Sequence, residues 1–346
     1  MSQPHQLYFL HAVTPLHVGV EDTLGGVDLP TMKERHTGYP LVPGSSIKGV
    51  LRAEVEPPAG DDRKDFFAAF GPPSTEAGDY RSGLVFTDAQ ILALPVRSLC
   101  GTFAWVTCRQ VLRRLARDLE AAGAGERIAT PAAPDPQIGL VPGTQDGNGG
   151  GLRPDSALLV EGGERAEVFL EESILEVRPD ADLATLAAAI AAACWPGDAE
   201  AAEFFRRRLL LVHDDLFGFL VRLSLEVRAR VRIDRDRGTA ADTGPWTEEH
   251  MPAETLLHGL VMGRFTTYRE RPREEGGGEE GEATGGDEGI RCDGDKNLAT
   301  LGQLASGLGL LRFGGHSTIG LGRAFFRLVD RDRASPFAAA QPGGAT

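Results

Sequence analysis

The stretch GGVDLPTMKERHTGYPLVPGSSIKGVLR, residues 25–52, sets one aspartate, one histidine, two lysines, two arginines, a Ser-Ser pair and five glycines in 28 consecutive positions. Its second half reads as the start of an amphipathic helix. With Ser45 or Ser46 as the cap, Ile47, Val50, Leu51 and Val55 recur at i, i+3, i+4 and i+8 and form one apolar face. Lys48 and Arg52 fall one turn apart on another face, beside the backbone N–H groups that a helix start leaves free. Gly44 and Gly49 give a ligand room to approach, so the segment is a candidate phosphate seat built on Ser45, Ser46, Lys48 and Arg52. A surface helix with two solvated cations fits the same spacing. A nucleotide-hydrolase P-loop does not, because Lys48 precedes Gly49 and no Ser or Thr follows a Gly-Lys pair.

The first half of the stretch reads as a loop. Asp28 lies between Gly25 and Gly26 on one side and Pro30 on the other, in reach of His17, Lys33, Arg35 and His36 if the chain folds back. A carboxylate among cations is either a salt-bridge partner or a functional group, and spacing alone leaves both open. The histidines at 213, 250 and 258 have no HExxH spacing, and neither a GxSxG elbow nor a Cys/His pair is present, which argues against zinc and serine or cysteine nucleophile chemistry. A glycine-rich run, LRFGGHSTIGLGR at 311–323, offers Gly314, Gly315 and His316 as a loop able to follow an extended backbone, or simply as a turn before a last strand.

Strand-like segments are expected at 7–18, 84–94, 167–177, 217–233 and 256–268, with a closing strand at 318–329. A helix is expected over 107–122, with Val111, Leu112, Leu115 and Leu119 on one face, a Thr107/Gln110 capping box and Gly123 as its stop. A second helix is expected over 298–308. Helices between strands of antiparallel type point to an α+β sandwich of ferredoxin-like kind. The low-complexity segment 274–289, EEGGGEEGEATGGDEG, reads as a flexible acidic loop, the run 132–151 as a linker, and everything from 334 onward as a flexible tail.

The net charge of −14 hides an uneven distribution. Residues 274–295 hold nine acids and one base, which is −8, whereas 206–237 hold nine arginines and five acids, which is +4. A nucleic-acid partner is therefore compatible with an acidic average. Four scattered cysteines without a CxxC pair suggest a reduced, cytoplasmic setting, and no apolar run reaches the roughly 18 residues of a membrane span.

Read together, TPLHVG (14–19), VDLPTMKERHTGYPLVPGSSIKGVLR (27–52), PVRSLCGTFAWVTC (95–108), WTEEHMPAETLLHGLV (246–261) and GGHSTIGLGR (314–323) closely resemble the RAMP backbone subunit of type III-B CRISPR effectors, the Cmr complex. The resemblance runs in order over nearly the whole chain. It implies an RRM-like (RAMP) palm, one domain over 1–333 with inserted loops, that polymerises with copies of itself and other Cmr subunits along a CRISPR RNA. It implies a β-hairpin thumb, matched here by 232–255, and a loop aspartate that cuts single-stranded target RNA with Mg2+ or another divalent cation. Asp28 matches that aspartate, as metal ligand and catalytic residue. His17 and Glu249, or its neighbour Glu248, match adjacent motif positions and are expected to assist. Lys33, Arg35, His36, Ser45, Ser46, Lys48, Arg52, Gly314, Gly315 and His316 are expected to contact RNA.

The implied chemistry is physically sound. RNA held with a nucleotide splayed out can turn its own 2′-OH on the adjacent phosphate, which DNA cannot. Mg2+ commonly takes one or two carboxylates and completes its shell with water and phosphate, so one aspartate suffices. Two other functions fit the same family pattern: a catalytically silent filament protomer, and a stand-alone RAMP ribonuclease processing guide precursors.

Overall fold

A computed structural model describes residues 3–20, 26–57, 62–72, 80–123, 129–145, 151–160, 165–234, 236–268, 290–329 and 337, with the side chains of 62, 241–243 and 317 left aside. The acidic segment 274–289 lies outside the described residues, as does all of the tail except Phe337.

In chain order, β1 (His5–Ala12) and the short β2 (Leu41–Val42) precede helices α1 (Gly44–Val55) and α2 (Asp62–Phe70). Then come β3 (Leu84–Phe86), β4 (Ala89–Arg97), β5 (Phe103–Cys108), α3 (Arg109–Ala121), β6 (Ile138–Gln145), β7 (Leu152–Pro154), β8 (Glu167–Leu170) and β9 (Ser173–Asp180). Helices α4 (Ala181–Cys194) and α5 (Ala199–Arg206) lead to β10 (Leu209–Val212) and α6 (Asp214–Ser224). A hairpin of β11 (Glu226–Ile233) and β12 (Ala240–His250) follows. The chain closes with β13 (Leu256–Gly263), β14 (Thr266–Tyr268), β15 (Ile290–Cys292), α7 (Gly294–Ala305), β16 (Leu310–Arg312) and β17 (Arg323–Leu328).

Strand β1 is central, antiparallel to β13 on one side and to β17 on the other. The sheet continues from β13 through β4 and β5 to β10, β6, β9 and β8, with β10 parallel to β5. Side-chain alternation along β1 divides the core. Leu7 and Phe9 join Val111, Leu115, Ile190 and Phe217 from α3, α4 and α6, whereas Tyr8 and Leu10 join Ile47, Leu51, Phe66 and Leu301 from α1, α2 and α7. Helices thus cover both faces, which explains why β1 is buried almost throughout rather than alternating with exposed residues. The α+β expectation holds, with a second helical layer added.

Several local expectations differ. Residues 217–224 belong to helix α6, not a strand: His213 caps it by accepting the Asp215 N–H, and Phe217, Leu220 and Val221 are buried at i, i+3 and i+4. The Thr107/Gln110 capping box does not form, because Thr107 is in β5 and the Gln110 N–H donates instead to Asp214 Oδ1 at 3.0 Å. Neither Ser45 nor Ser46 caps α1. Its first N–H, that of Gly44, donates to Asp88 Oδ1 at 2.9 Å, and a Cβ on Gly44 would lie 2.2 Å from the Phe86 carbonyl oxygen, so only glycine permits this approach. Phe337, expected in a flexible tail, is buried and stacks on Phe9. The hairpin begins at Glu226 rather than at 232.

Candidate active site

Among the named strands β11 and β12 pair with each other alone and leave the main sheet as a separate two-stranded arm. Arg228, Arg230 and Arg232 alternate with Val227, Val231 and Ile233, whose apolar side chains are exposed. An exposed apolar and arginine-rich arm of this kind is suited to insertion into a partner rather than to solvent.

Two loops clasp the root of β12. Leu16 pairs antiparallel with Met251, each N–H donating to the other's carbonyl at 2.9 Å. Leu29 runs parallel beside Glu248: its N–H donates to the Thr247 carbonyl and its carbonyl accepts the Glu249 N–H, both at 3.0 Å. This added strand sets Asp28 against Thr247. Asp28 Oδ2 accepts the Thr247 N–H at 2.7 Å and the Thr247 hydroxyl at 2.9 Å, while the Asp28 N–H donates to the same hydroxyl oxygen at 3.0 Å. The Thr247 N–H, then the hydroxyl, hold the Asp28 carboxyl below its ordinary pKa, although the residue is exposed. Among the described residues Asp28 has no ion-pair partner, and no other residue donates a hydrogen bond to its Oδ1. The salt-bridge reading therefore has no structural counterpart here.

The two glutamates of WTEE have different tasks. Glu249, 6 % exposed, accepts the Lys33 ammonium on Oε1 at 2.7 Å and the Thr31 N–H on Oε2 at 3.1 Å. It fastens the Asp28 loop to β12 and has neither oxygen free. Glu248 is fully buried; it accepts the Trp246 indole N–H at 2.8 Å, pairs with Arg230, and faces His316 Nε2 at 3.3 Å. Burial disfavours its charge, yet Trp246, His316 and Arg230 outweigh burial and keep its carboxyl below the ordinary range.

His17 is buried with Nδ1 on the Glu249 carbonyl at 2.8 Å. A carbonyl only accepts, so the proton is on Nδ1 and Nε2 is the basic nitrogen of the neutral ring. The rings of His250 and His316 lie 5.2 and 5.3 Å from that of His17. Burial first, then His17, lower the His250 pKa, which favours its neutral form. The glycine-rich loop sits directly on His17: the Gly315 N–H donates to the His17 carbonyl at 2.9 Å, and a Cβ on Gly314, at φ +77°, would meet that oxygen at 2.2 Å. His316 holds a left-handed φ of 62°, an unfavourable conformation for a residue with a side chain, and its ring contacts Glu248.

The structure thus gathers Asp28, His17, Glu249, Lys33, Gly314, Gly315 and His316 around one strand end. It does not do so for the helix residues. Lys48 Nζ donates to the Leu84 carbonyl at 3.0 Å and to Ser82 Oγ at 2.5 Å, and burial, helped by Arg264 and Arg52, lowers its pKa to about 8. Arg52 donates to the Phe70 and Gly71 carbonyls at 3.2 and 2.9 Å, capping α2 while lying over the Phe66 ring. These cations tie α1 to its neighbours, an arrangement that gives no support to a phosphate-contact role. Ser45 is exposed and Ser46 half-buried in the first turn of α1. Arg35 is exposed, and exposed His36 lies 3.6 Å from Glu34. Sequence reasoning missed Thr247, Trp246 and Arg230 as members of the site; only their adjacency to the glutamates in WTEE, or to β11 register, signals them.

No group of three or more potential metal-ligating side chains occurs among the described residues, and no helix among them is long and apolar enough to cross a membrane. The RAMP superfamily model matches residues 9–326. The chain is 35 % identical over 254 residues to the CRISPR system Cmr endoribonuclease Cmr4 of Pyrococcus furiosus, covering 73 % of this chain and 79 % of that protein. It superposes on the crystal structure of oligomeric Cmr4 from Pyrococcus furiosus with a TM-score of 0.63 at 26 % identity, covering 94 % and 98 % of the two chains. A chain from the cryo-EM structure of the type III-B Cmr-beta complex bound to cognate target RNA shares the fold, with a TM-score of 0.64, 18 % identity and coverage of 95 % and 98 %. With the family model spanning the palm, the hairpin and the glycine-rich loop, this chain belongs to the RAMP superfamily and, within it, to the subunits of type III-B CRISPR (Cmr) effectors.

Proposed function

We propose that this chain is a guide-RNA-binding filament subunit whose Asp28 cuts complementary single-stranded RNA with a divalent cation. The placement of Asp28 carries the proposal: an exposed carboxylate kept ionised, gripped on Oδ2 by Thr247 and open on Oδ1, at the root of an arginine-rich arm. The name of the Pyrococcus relative, a Cmr endoribonuclease, supports RNA cleavage.

The residues fit Mg2+ in one specific way. A cage of protein carboxylates is not available, since Glu248 and Glu249 are engaged by Arg230, Trp246, Lys33 and the Thr31 N–H. One open oxygen of an ionised aspartate matches the habit of Mg2+ to take few protein ligands and keep water and phosphate for the rest. Bound there, the cation would supply neutralisation of charge developing on the scissile phosphate.

The chain's own part is positioning and proton handling. Asp28 and His17 are anchored to Thr247 and to the Glu249 carbonyl, two residues apart on β12 and so about 7 Å along the strand. A phosphodiester between them would have the basic Nε2 of His17 on one side and the Asp28 carboxylate on the other. We assign to His17 the proton of the attacking 2′-OH; the 2′-oxygen bonds to phosphorus as the bond to the 5′-oxygen breaks, and water protonates the leaving oxygen. The products are a 2′,3′-cyclic phosphate and a 5′-hydroxyl.

The test is cleavage of labelled complementary RNA, and of a copy with a 2′-deoxy nucleotide at the cut, by the guide-loaded assembly with Mg2+ or with EDTA. Cutting only of the all-RNA strand, and only with the cation, is expected. Equal cutting in EDTA would remove the cation from the scheme. No cutting under either condition would favour the silent protomer.

A further inference from the structure

Helix α3 carries Arg109, Arg113 and Arg117 at i, i+4 and i+8, a row about 12 Å long on the side opposite its buried Val111, Leu115 and Leu119. They line a cleft of about 890 Å³ together with His36, Asp214 and Glu120. His36 brings the 34–38 loop to its edge, and that loop is fixed in place: Arg114 grips Glu34 through two bonds of 2.7 and 3.0 Å. That loop belongs to the same segment whose start presents Asp28 to the hairpin root.

Among the described residues the arginines of the row have no ion-pair partner; Arg113 and Arg117 are exposed, and the buried Arg109 Nε has no hydrogen-bond acceptor. The lining contains two carboxylates: Asp214, whose Oδ1 already accepts the Gln110 N–H, and Glu120 at the far end of the helix. A protein of net charge −14 that sets three arginines without an ion-pair partner among the described residues on one line creates a local attraction for anions against its own average field.

We propose that this cleft is a second RNA contact, a track for consecutive phosphates of a single strand. A row, rather than a converging cluster, fits a repeating polyanion better than one isolated phosphate. Arginine is the side chain whose planar fork matches phosphate oxygens bidentately. Among the described residues no Phe, Tyr or Trp lines the cleft and His36 is its single ring, so the arginine row would mainly hold backbone rather than read bases. The proposal rests on the RNA-binding reading above, and it adds α3 to the surfaces that would contact RNA.

The test uses the full chain, as wild type, R113A/R117A and R113K/R117K, with unchanged melting expected because both positions are exposed and unpaired. One arm measures binding of labelled guide RNA over a range of salt, the other capture of complementary RNA by the guide-loaded assembly. The alanine pair should weaken one arm roughly tenfold at low salt and flatten its salt slope by about 1.4, from about 0.7 per lost single-strand phosphate contact. The lysine pair should keep most of the slope. Loss in the first arm assigns the track to the guide, and loss only in the second to the target. Unchanged affinity and slope in both arms would overturn the proposal, as would intact RNA binding with loss only of co-assembly with other Cmr subunits, which would make the cleft a seat for an acidic protein face. Wild-type protein that binds no RNA would overturn this proposal and the functional reading together.

Discussion

Removing Glu249 should separate a positioning carboxylate from a catalytic one. In Glu249→Ala the buried Thr31 N–H loses its acceptor, at a cost of about 1–3 kcal/mol. The Lys33 pair adds less, about 0–1 kcal/mol, because the lysine side chain is 32 % exposed and screened by water. The alanine variant should therefore lose roughly 1–4 kcal/mol in urea unfolding with an unchanged m value, and cutting should fall because the Leu29 segment no longer holds Asp28 against Thr247. In Glu249→Gln the amide oxygen can still accept the Thr31 N–H, so the loss should be about 1 kcal/mol or less, with cutting largely restored. A metal-ligating or proton-transferring glutamate would not be rescued by glutamine. If Glu249→Gln folds and assembles like wild type yet cuts no better than Glu249→Ala, the positioning argument fails and Glu249 returns to the catalytic set.

Thr247→Val removes one of the bonds that keep Asp28 ionised, so its carboxyl should rise toward the ordinary range. The acid limb of the cleavage pH profile should then shift to higher pH; an unmoved limb would mean that Asp28 does not set it. Lys48 titrates near 8 in the folded chain, below its unfolded value, so between about pH 8 and about pH 10 the unfolded chain binds more protons and folding stability gains as pH rises. The stability of wild type relative to Lys48→Met should therefore grow from about pH 7.5 to about pH 10, and a constant difference would contradict the buried ammonium. Glu34→Gln strands the buried Arg114 and should cost about 3–5 kcal/mol, much of it recovered in Glu34→Gln/Arg114→Met. Denaturant unfolding of the set checks it, and a cost shared equally by the double variant would show that the pair's charge is not what matters.

Much of the fold was legible from pattern. The apolar faces of α1 and α3 followed from i, i+3, i+4 spacing, which local chain geometry enforces whatever surrounds it. Their caps were not legible, because Asp88 and Asp214 reach them from 44 and 104 residues away. Helix α6 was misread through its run of aliphatic residues, a signal that buried strands share; the Asp214–Asp215 pair in its first turn was the overlooked cue. At the site, Asp28 and Thr247 are 219 residues apart in sequence, and no periodicity foretells their contact. Resemblance to RAMP subunits, not spacing, singled out Asp28. Lys48 and Arg52 show the converse: their placement on one helical face was correct, but sequence does not reveal that the Leu84, Phe70 and Gly71 carbonyls engage them.

The central claim is that Asp28 performs the cut, and Asp28→Asn tests it most directly. The amide keeps an oxygen to accept the Thr247 N–H and hydroxyl, so the loop should stay docked, while the charge that would hold a divalent cation is gone. Single-turnover cleavage of complementary RNA, measured on an assembly shown to contain wild-type amounts of guide and target, should fall by orders of magnitude with melting temperature unchanged. Cleavage at the wild-type rate by that assembly would contradict the account and leave the chain as a silent protomer of its filament.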